Sequence, residues 1–287
     1  MAEIQGSGSV HAKAADEAGY RPLWSHSCRW GDLLVPVSLG SGRDGLDLAE
    51  GWTRQWTATW RHAGGEVTCP VADLAAAPVT RLGPMRGFTW RRDQRHRPGL
   101  KYMVSTGRLH GFESLEEAGL LLALDFAGGV TEVLSQPLRL KFRTADGWRK
   151  HTPDFLAISR LGIWLIDVRP AGLIQQEDRE SFAATAEAAL TCGWHYTVAA
   201  QWKPHVLVTV DEMSSRRRPL ADRLGVQPGL FAGAKEGLSF GEIVMGSAFE
   251  PVARAHLLHL LWQRRLGVDL SQPLGDRSTV VLGSEEP

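Results

Sequence analysis

Two aspartates and an arginine lie in the segment HTPDFLAISRLGIWLIDVRP, residues 151–170. Two apolar runs flank the Arg-Leu pair at 160–161, a pattern typical of two strands joined by a tight turn. A hairpin centred on that pair places Asp154 directly opposite Asp167, on one face of the sheet. Arg169 shares this face because side chains alternate along a strand. The sequence therefore predicts two carboxylates and a guanidinium at one edge of an otherwise apolar sheet.

This combination suits a hard divalent cation. Mg²⁺ prefers carboxylate oxygens, keeps several waters and often completes its coordination with phosphate oxygens of a substrate. A metal held by Asp154 and Asp167 would activate a water for attack on a phosphodiester and neutralise the charge developing on phosphorus. The structural alternative is that Arg169 simply neutralises the two aspartates in a salt-bridge cluster. Spacing alone leaves both interpretations open.

The neighbouring pattern predicts the elements that position these residues. A helix is expected over 114–126 and a second, with an acidic start, over 177–191. Strand-like runs are expected at 130–142, 152–158, 162–168 and 194–200. The order of helix, three strands, helix and strand predicts an α/β unit with a mixed sheet.

Several motifs resemble a known family. The order Glu117, Pro153-Asp154 and Asp167-Val168-Arg169 resembles the PD-(D/E)xK nuclease pattern. More specifically, the chain resembles the TnsA-like endonuclease subunit of heteromeric transposases in its actinomycete form. The resemblance runs from about residue 24 to the C-terminus, on the motifs FESLEEAGLLLALDF, LSQPLRLKF, HTPDFLA, IDVRPAGLI, DQRHRPG and HLLWQRRLGVDLSQPLGD.

The resemblance implies a restriction-endonuclease-like α/β fold, a mixed sheet flanked by helices, and a metal-dependent DNA endonuclease that hydrolyses a phosphodiester at transposon ends. It implies that Glu117, Asp154 and Asp167 surround one Mg²⁺, for which Mn²⁺ can substitute. Arg169 stands where the pattern usually has lysine. The implied partners are double-stranded DNA at transposon ends, a DDE-type transposase subunit and an AAA+ ATPase regulator.

The helical acid has competitors and a second explanation. Glu113 and Glu116 lie beside Glu117, which is preferred because it stands nine residues before Phe126, the spacing associated with the family's helical glutamate. Ser114 and Glu117 also fit a capping box, Ser-x-x-Glu, which would explain the glutamate without any metal.

Arginine in place of lysine changes the expected chemistry. Arg169 stays protonated and grips phosphate or carboxylate in a planar fork, so it is a poor general base. This departure favours a rival function: a non-catalytic DNA-binding adaptor that links a transposase to its AAA+ ATPase regulator.

The formal net charge of zero hides a local imbalance. Residues 79–110 hold eight basic residues and one acid, together with Phe88, Trp90 and Tyr102. Arginines interleaved with aromatics can contact phosphates while stacking on bases, although a solvated arm has the same composition. The candidate DNA-binding residues are Arg91, Arg92, Arg95, Arg97, Lys101 and Arg108. A second basic run at 216–218 is predicted to be an exposed linker.

The chain divides on composition and pattern. We expect a disordered tail at 1–23, an N-terminal β region and basic arm at 24–110, and a PD-(D/E)xK-like nuclease core at 111–210. A linker at 211–237 and a winged-helix-like domain at 238–284 follow. The latter is expected to contain a short helix capped by Ser239, a longer helix over about 250–266 and two short strands at 268–270 and 279–282. The domain over 24–110 is expected to contain strands from about residue 24 to 71, with a turn at the Gly-Gly pair 64–65.

Three scattered cysteines do not make a disulfide framework, which predicts a cytoplasmic protein. The longest apolar stretch, 118–124, is too short to cross a bilayer, so no membrane partner is expected. His26, Cys28, His62 and Cys69 are possible soft-metal ligands. Their spacing fits no zinc finger or ribbon, and ordinary packing or surface positions are the default interpretation.

Overall fold

A computed structural model describes residues 21–86, 98–127 and 129–283. The fold is mixed α/β, with several sheets flanked by helices. The strands are β1 (Thr57–His62), β2 (Gly65–Pro70), β3 (Gly99–Met103), β4 (Arg108–Phe112), β5 (Val130–Ser135), β6 (Arg139–Thr144), β7 (Gly147–His151), β8 (Phe155–Ser159), β9 (Gly162–Val168), β10 (His195–Ala199), β11 (Leu266–Gly267) and β12 (Val281–Leu282).

The helices are α1 (Gly40–Arg43), α2 (Trp52–Gln55), α3 (Leu115–Ala127), α4 (Gln176–Thr191), α5 (Val206–Ser214), α6 (Gln227–Lys235), α7 (Phe240–Met245) and α8 (Glu250–Trp262). Short 3₁₀ turns lie at Trp30–Leu33, Val71–Ala76, Val79–Arg81 and Ala171–Leu173. Within the described ranges, no helix combines the length and the apolar character that a bilayer crossing requires.

The central sheet has the strand order β10-β9-β8-β5. Strands β5, β8 and β9 are antiparallel, and β10 runs parallel to β9. The predicted hairpin register is confirmed, because Phe155 lies opposite Ile166 and Ser159 opposite Gly162. Alternation along β8 sends Phe155 into one apolar cluster and Leu156 into another. The sheet is therefore covered on both faces.

The two clusters come from different elements. One contains residues of α3, α5 and the C-terminal helices. The other contains residues of α4 and of a second four-stranded sheet, with the order β2-β1-β6-β7. Trp56 packs on Phe142 in this second cluster, with ring centroids 5.7 Å apart. The tryptophans near the N-terminus thus build part of the core, as large side chains in a small sheet should.

The run 130–142, expected as one strand, is two strands in different sheets. Strand β5 ends at Ser135, and Gln136 then takes a left-handed conformation with φ of 50°. Pro137 follows and has no amide hydrogen to donate to a ladder. The chain leaves the central sheet here, and β6 joins the second sheet. Strand β7, which the sequence pattern did not predict, pairs with β6.

The N-terminal region has less strand than expected. Between residues 24 and 71, all of which the structure describes, the named strands are those of the β1–β2 hairpin, where the predicted turn is confirmed by the pairing of His62 with Gly65. Between residues 24 and 56 the chain instead forms the Trp30–Leu33 turn and helices α1 and α2. Side-chain burial rather than strand pairing explains the tryptophans there, since Trp30 and Trp56 are both buried.

The C-terminal elements follow the predicted order. Ser239 caps α7 and accepts from the amide of Glu242, as expected. Helix α8 ends at Trp262, four residues earlier than predicted, and two-residue strands β11 and β12 pair as a hairpin. The interval 211–237, expected as a linker, contains helix α6 and part of α5, and both pack into the cluster that includes α3.

Candidate functional site

Asp154 and Asp167 lie at the open end of the β8–β9 hairpin. Extending the register by one residue from the Phe155–Ile166 pair sets the two aspartates opposite each other, as predicted. The amide of Val168 donates a 2.7 Å hydrogen bond to Oδ2 of Asp154. Burial, followed by the adjacent Asp167 charge, raises the pKa of Asp154 well above its usual value. The pair therefore carries electrostatic repulsion that a cation would relieve.

The Asp167 carboxylate is almost fully buried, with 1% of the residue exposed. His151, the last residue of β7, donates from Nε2 to Oδ1 over 2.9 Å. Tyr196 on β10 donates its hydroxyl to Oδ2 over 2.7 Å. Both carboxylate oxygens are thus held by side chains from two different sheets.

The same contacts alter the two donors. Burial, then the Asp167 charge, raises the pKa of Tyr196 well above its usual value. Burial acts to lower the pKa of His151, but the charge and hydrogen bond of Asp167 outweigh burial and raise it. The sequence analysis did not identify either residue. His151 lies in the HTPD motif and could have been predicted from the sequence, whereas the position of Tyr196 depends on the parallel pairing of β10 with β9.

Glu117 occupies the first turn of α3 and does cap the helix. Its amide donates to Oγ of Ser114 over 3.1 Å, and its Oε2 accepts from the amide of Glu113 over 2.8 Å. Burial is the main cause that raises the pKa of Glu117. Its charge also contributes to the raised pKa of Asp154, so the structure brings the helical acid near the aspartate pair. Capping and proximity to the site occur together.

The competing acids are engaged elsewhere or exposed. Glu113 accepts a 2.9 Å ion pair from Arg86, and Glu116 is exposed on the first turn of the helix. Arg86 also donates from Nε to Oε1 of Gln136 over 2.9 Å. The charge of Arg86 reaches Glu117 and acts to lower its pKa. Arg86 belongs to the basic segment 79–110, and its position beside the acids was not predicted from the sequence.

The Arg169 guanidinium pairs with a residue that the sequence analysis did not consider. Its Nε lies 3.3 Å from Oδ2 of Asp178 in the first turn of α4, without hydrogen-bond geometry. Within the described ranges, Arg169 forms no ion pair with Asp154 or Asp167. The structure therefore does not support the alternative in which Arg169 neutralises the two aspartates directly.

The donor chemistry of the site fits Mg²⁺. Glu117, Asp154 and Asp167 supply carboxylate oxygens, and Oδ1 of Asp154 accepts no hydrogen bond from any described residue. In the described part of the chain, however, no three or more Asp, Glu, His or Cys side chains are assembled closely enough to hold a metal ion. The three carboxylates therefore do not form a closed ligand group in the described part of the chain.

Among the soft-metal candidates, Cys28 has a structural explanation that requires no metal. Cys28 is buried, and its thiol donates to the carbonyl of Ser25 over 3.5 Å. Burial raises the pKa of Cys28 to about 11, so the thiol stays protonated at neutral pH.

Only part of the candidate DNA surface is described. Arg91, Arg92, Arg95 and Arg97 lie outside the described residues. Lys101 and Arg108 lie on the β3–β4 hairpin, and Arg108 forms an ion pair with Glu132. Leu100, Tyr102 and Leu109 are exposed on the same hairpin. The hairpin thus presents cations and apolar side chains together.

A scan of the chain against protein-family models found no match, and a search of curated proteins found no similar sequence.

Proposed function

We propose that the chain is a metal-dependent DNA endonuclease subunit of a heteromeric transposase, which hydrolyses a phosphodiester at transposon ends. The observation that carries the proposal is the placement of Glu117, Asp154 and Asp167. Asp154 and Asp167 face each other at the end of the β8–β9 hairpin; the pKa of Asp154 is raised by burial first, then by the Asp167 charge, with the charge of Glu117 on α3 acting in the same direction. Buried carboxylates that lie close together despite their electrostatic repulsion are typical of functional sites.

The order of elements supports the same proposal. Helix α3, strands β5, β8 and β9, helix α4 and strand β10 follow one another, interrupted by the β6–β7 hairpin. Three antiparallel strands and a fourth that is parallel to its neighbour form the sheet. This arrangement is compatible with the restriction-endonuclease-like core that we propose, and the C-terminal helices with their short hairpin are compatible with a winged-helix-like module.

In this proposal Glu117, Asp154 and Asp167 hold Mg²⁺, or Mn²⁺ in its place. When bound, the metal activates a water and neutralises charge at phosphorus. His151 and Tyr196 fix the orientation of the Asp167 carboxylate. The proton of the attacking water goes to a carboxylate or to solvent, because arginine does not release its own proton at neutral pH.

Arg169 has a narrower role than the lysine of the general pattern. Its guanidinium can grip a phosphate through two parallel N–H groups. The ion pair with Asp178 holds Arg169 at the start of α4, so a phosphate must compete with that carboxylate. The partners that we propose are duplex DNA at transposon ends, a DDE-type transposase subunit and an AAA+ ATPase regulator, in the cytoplasm.

The test is DNA cleavage by the reconstituted system. The chain and its transposase are mixed with DNA that carries the element ends, in Mg²⁺, and strand cuts are mapped. We expect Asp154→Asn to lose at least about 100-fold in rate, as removal of a metal ligand or key charge commonly does. Asp146→Asn, in the exposed turn between β6 and β7, is the matched control and should cut like wild type. Equal cutting by Asp154→Asn and wild type contradicts the endonuclease proposal.

A second function, the non-catalytic adaptor, is favoured by two observations. Arg169 pairs with Asp178 instead of the central acids, and no closed metal-ligand group is present among the described residues. Arg169→Lys distinguishes the two functions. A faster cut in this variant indicates a weakened but real catalytic centre. If wild type, Asp154→Asn and Arg169→Lys all leave the DNA intact while the transposase is still recruited, the adaptor is supported.

A further inference from the structure

Two connected grooves lie beside the basic run 216–218, which directly follows α5. The larger groove has a volume of about 550 Å³, and its lining includes Asp211, Ser214, Ser215, Arg216, Arg217 and Arg218. The smaller has a volume of about 300 Å³ and is lined by Tyr102, Val104, Arg218 and Pro219. Because Arg218 and Pro219 line both grooves, the basic run and the β3–β4 hairpin form one continuous surface.

The three arginines project from a fixed turn. The amide of Arg216 donates to the carbonyl of Met213, and that of Arg217 donates to the carbonyl of Ser214, each over 3.1 Å. His259 on α8 donates from Nδ1 to the carbonyl of Arg216 over 2.7 Å. These bonds hold the backbone in place, so the run is part of the folded body and not the exposed linker that its composition predicted.

In the described part of the chain, none of the three arginines forms an ion pair, although Asp211 lines the same groove, and Nε of Arg217 is buried without a hydrogen-bond acceptor. A buried donor left without an acceptor costs free energy. Three arginines without an ion-pair partner among the described residues favour the approach of an anion.

Lys101, next to Tyr102 on β3, interacts with the charge of Arg217. Burial, followed by the nearby Arg217 charge, lowers the pKa of Lys101. Asp211 and Asp125 act in the opposite direction and do not cancel these effects. The lining of the two grooves contains three arginines and one acidic residue, Asp211, so positive charge exceeds negative charge there even though the whole chain is neutral.

We propose that the two grooves bind the sugar-phosphate backbone of duplex DNA, with Arg217 and Arg218 on phosphates and Tyr102 packed against the sugar. Arginine forks match phosphate geometry, and phosphate contacts position a protein on DNA without reading its sequence. The identification of DNA as the anion rests on the proposed function. The exposed aromatic beside Arg218 favours a nucleotide over a simple anion, since 37% of Tyr102 is accessible.

The position of the grooves is useful for such a substrate. The amide of Ser105, in the turn after β3, donates to Oδ1 of Asp125 over 2.8 Å. This bond fixes the hairpin turn near the end of α3 that is opposite Glu117. The hairpin that lines the smaller groove is thus attached to the helix that carries Glu117.

The test is DNA binding by the full chain in EDTA, measured by fluorescence anisotropy with a duplex of about 20 base pairs over a range of salt concentrations. We expect the double variant Arg217→Gln/Arg218→Gln to bind about ten-fold more weakly and to reduce the salt slope by about two, one for each lost phosphate contact. Arg223→Gln removes an exposed arginine from the same segment outside the grooves and should match wild type.

Two further variants distinguish a loss of DNA contacts from a folding defect. Arg218→Gln alone changes an exposed side chain and should lower the slope by about one. Arg217→Lys keeps the charge and should bind more tightly than Arg217→Gln. Unchanged affinity and slope in the double variant would overturn the proposal, as would a wild-type chain that does not bind the duplex. It would also be overturned if a polyglutamate peptide displaced DNA equally well at the same charge concentration, since the grooves would then suit an acidic protein.

The design separates this proposal from the endonuclease. Binding is measured without metal, so it does not depend on cutting. If Asp154→Asn cuts like wild type while the double variant loses binding, the endonuclease fails and the DNA grooves stand. If Asp154→Asn abolishes cutting while the double variant binds normally, the grooves fail and the endonuclease stands.

Discussion

The hydroxyl of Tyr196 donates a 2.7 Å hydrogen bond to Oδ2 of Asp167 from the neighbouring parallel strand. His151 holds the other oxygen, Oδ1, from the second sheet. A carboxylate fixed at both oxygens cannot rotate freely, so Asp167 presents one orientation towards Asp154. The two sheets meet at this carboxylate, which links the packing of the fold to the geometry of the site.

Tyr196→Phe should weaken this arrangement measurably. The substitution removes one donor from a buried carboxylate and keeps the ring. The lost hydrogen bond to a charged group should lower the free energy of unfolding by about 1–3 kcal/mol. Denaturant unfolding measures the change, and Tyr102→Phe on the exposed hairpin is the control, expected to stay within about 0.5 kcal/mol of wild type. If the two variants proved equally stable, the Tyr196–Asp167 hydrogen bond would make no net contribution to the free energy of unfolding.

Asp154→Asn should stabilise the chain in metal-free buffer. The substitution keeps an oxygen for the Val168 amide and removes one charge of the repelling pair. We therefore expect a higher midpoint of thermal unfolding in EDTA. Mg²⁺ should raise the midpoint of wild type, because a ligand that binds only the folded state stabilises it. It should not raise that of the variant. A wild-type midpoint that does not respond to Mg²⁺ would argue against a metal at these carboxylates.

The central hairpin could be predicted from sequence because its information is local. Two apolar runs and a two-residue turn determine the register, and this places Asp154 opposite Asp167. The order of helices and strands around the hairpin is equally visible in the pattern. The break at Gln136 could not be predicted from the pattern, because a strand of one sheet and a strand of another follow each other with only three residues between them.

Contacts between distant segments were beyond the sequence pattern. The Arg169–Asp178 pair depends on where α4 begins relative to the end of β9, and the Tyr196 bond depends on a parallel crossover. The basic run 216–218 has the composition of a linker, yet hydrogen bonds to α8 and to the end of α5 fix it. Local composition does not contain this tertiary information.

Arg264→Ala should loosen the attachment of the C-terminal helices. The Arg264 guanidinium donates to the carbonyls of Ala127 and Cys28 over 2.6 and 2.5 Å, and to that of His26 over 3.0 Å. Loss of a charged donor that satisfies several carbonyls should cost about 3 kcal/mol. Arg265→Ala, at an exposed neighbouring arginine that packs over Phe231, is the control and should cost less.

Hydrogen exchange shows where the Arg264→Ala effect occurs. Faster exchange should appear at the end of α3 and around residues 26–28, since these carry the carbonyls that lose their donor. If exchange increased uniformly across the chain, the three bonds would not form a local connection between the C-terminal helices and the rest of the fold.

His110 should make the chain less stable in acid. The ring is buried and bonds to the carbonyl of Val133 over 2.9 Å and to the hydroxyl of Thr106. Burial is the main cause that lowers the pKa of His110 below 6.5, with Arg108 adding to the effect and Glu132 among the opposing groups. The unfolded chain therefore binds more protons than the folded one just below pH 6.5. The contribution of His110 is complete above that pH and is lost as the pH falls through the folded pKa.

The His110 contribution is measured by comparing wild type with His110→Gln in denaturant unfolding from about pH 8 to about pH 5. Wild type should be the more stable at the upper end, because it keeps both bonds of a neutral buried ring. The difference should narrow as the pH falls, since only wild type must pay for charging that ring. His62→Gln, at an exposed position, is the control for removal of a histidine. If the difference in free energy of unfolding between wild type and His110→Gln widened in acid, the folded state would favour the charged imidazole. That result would conflict with the burial of the ring.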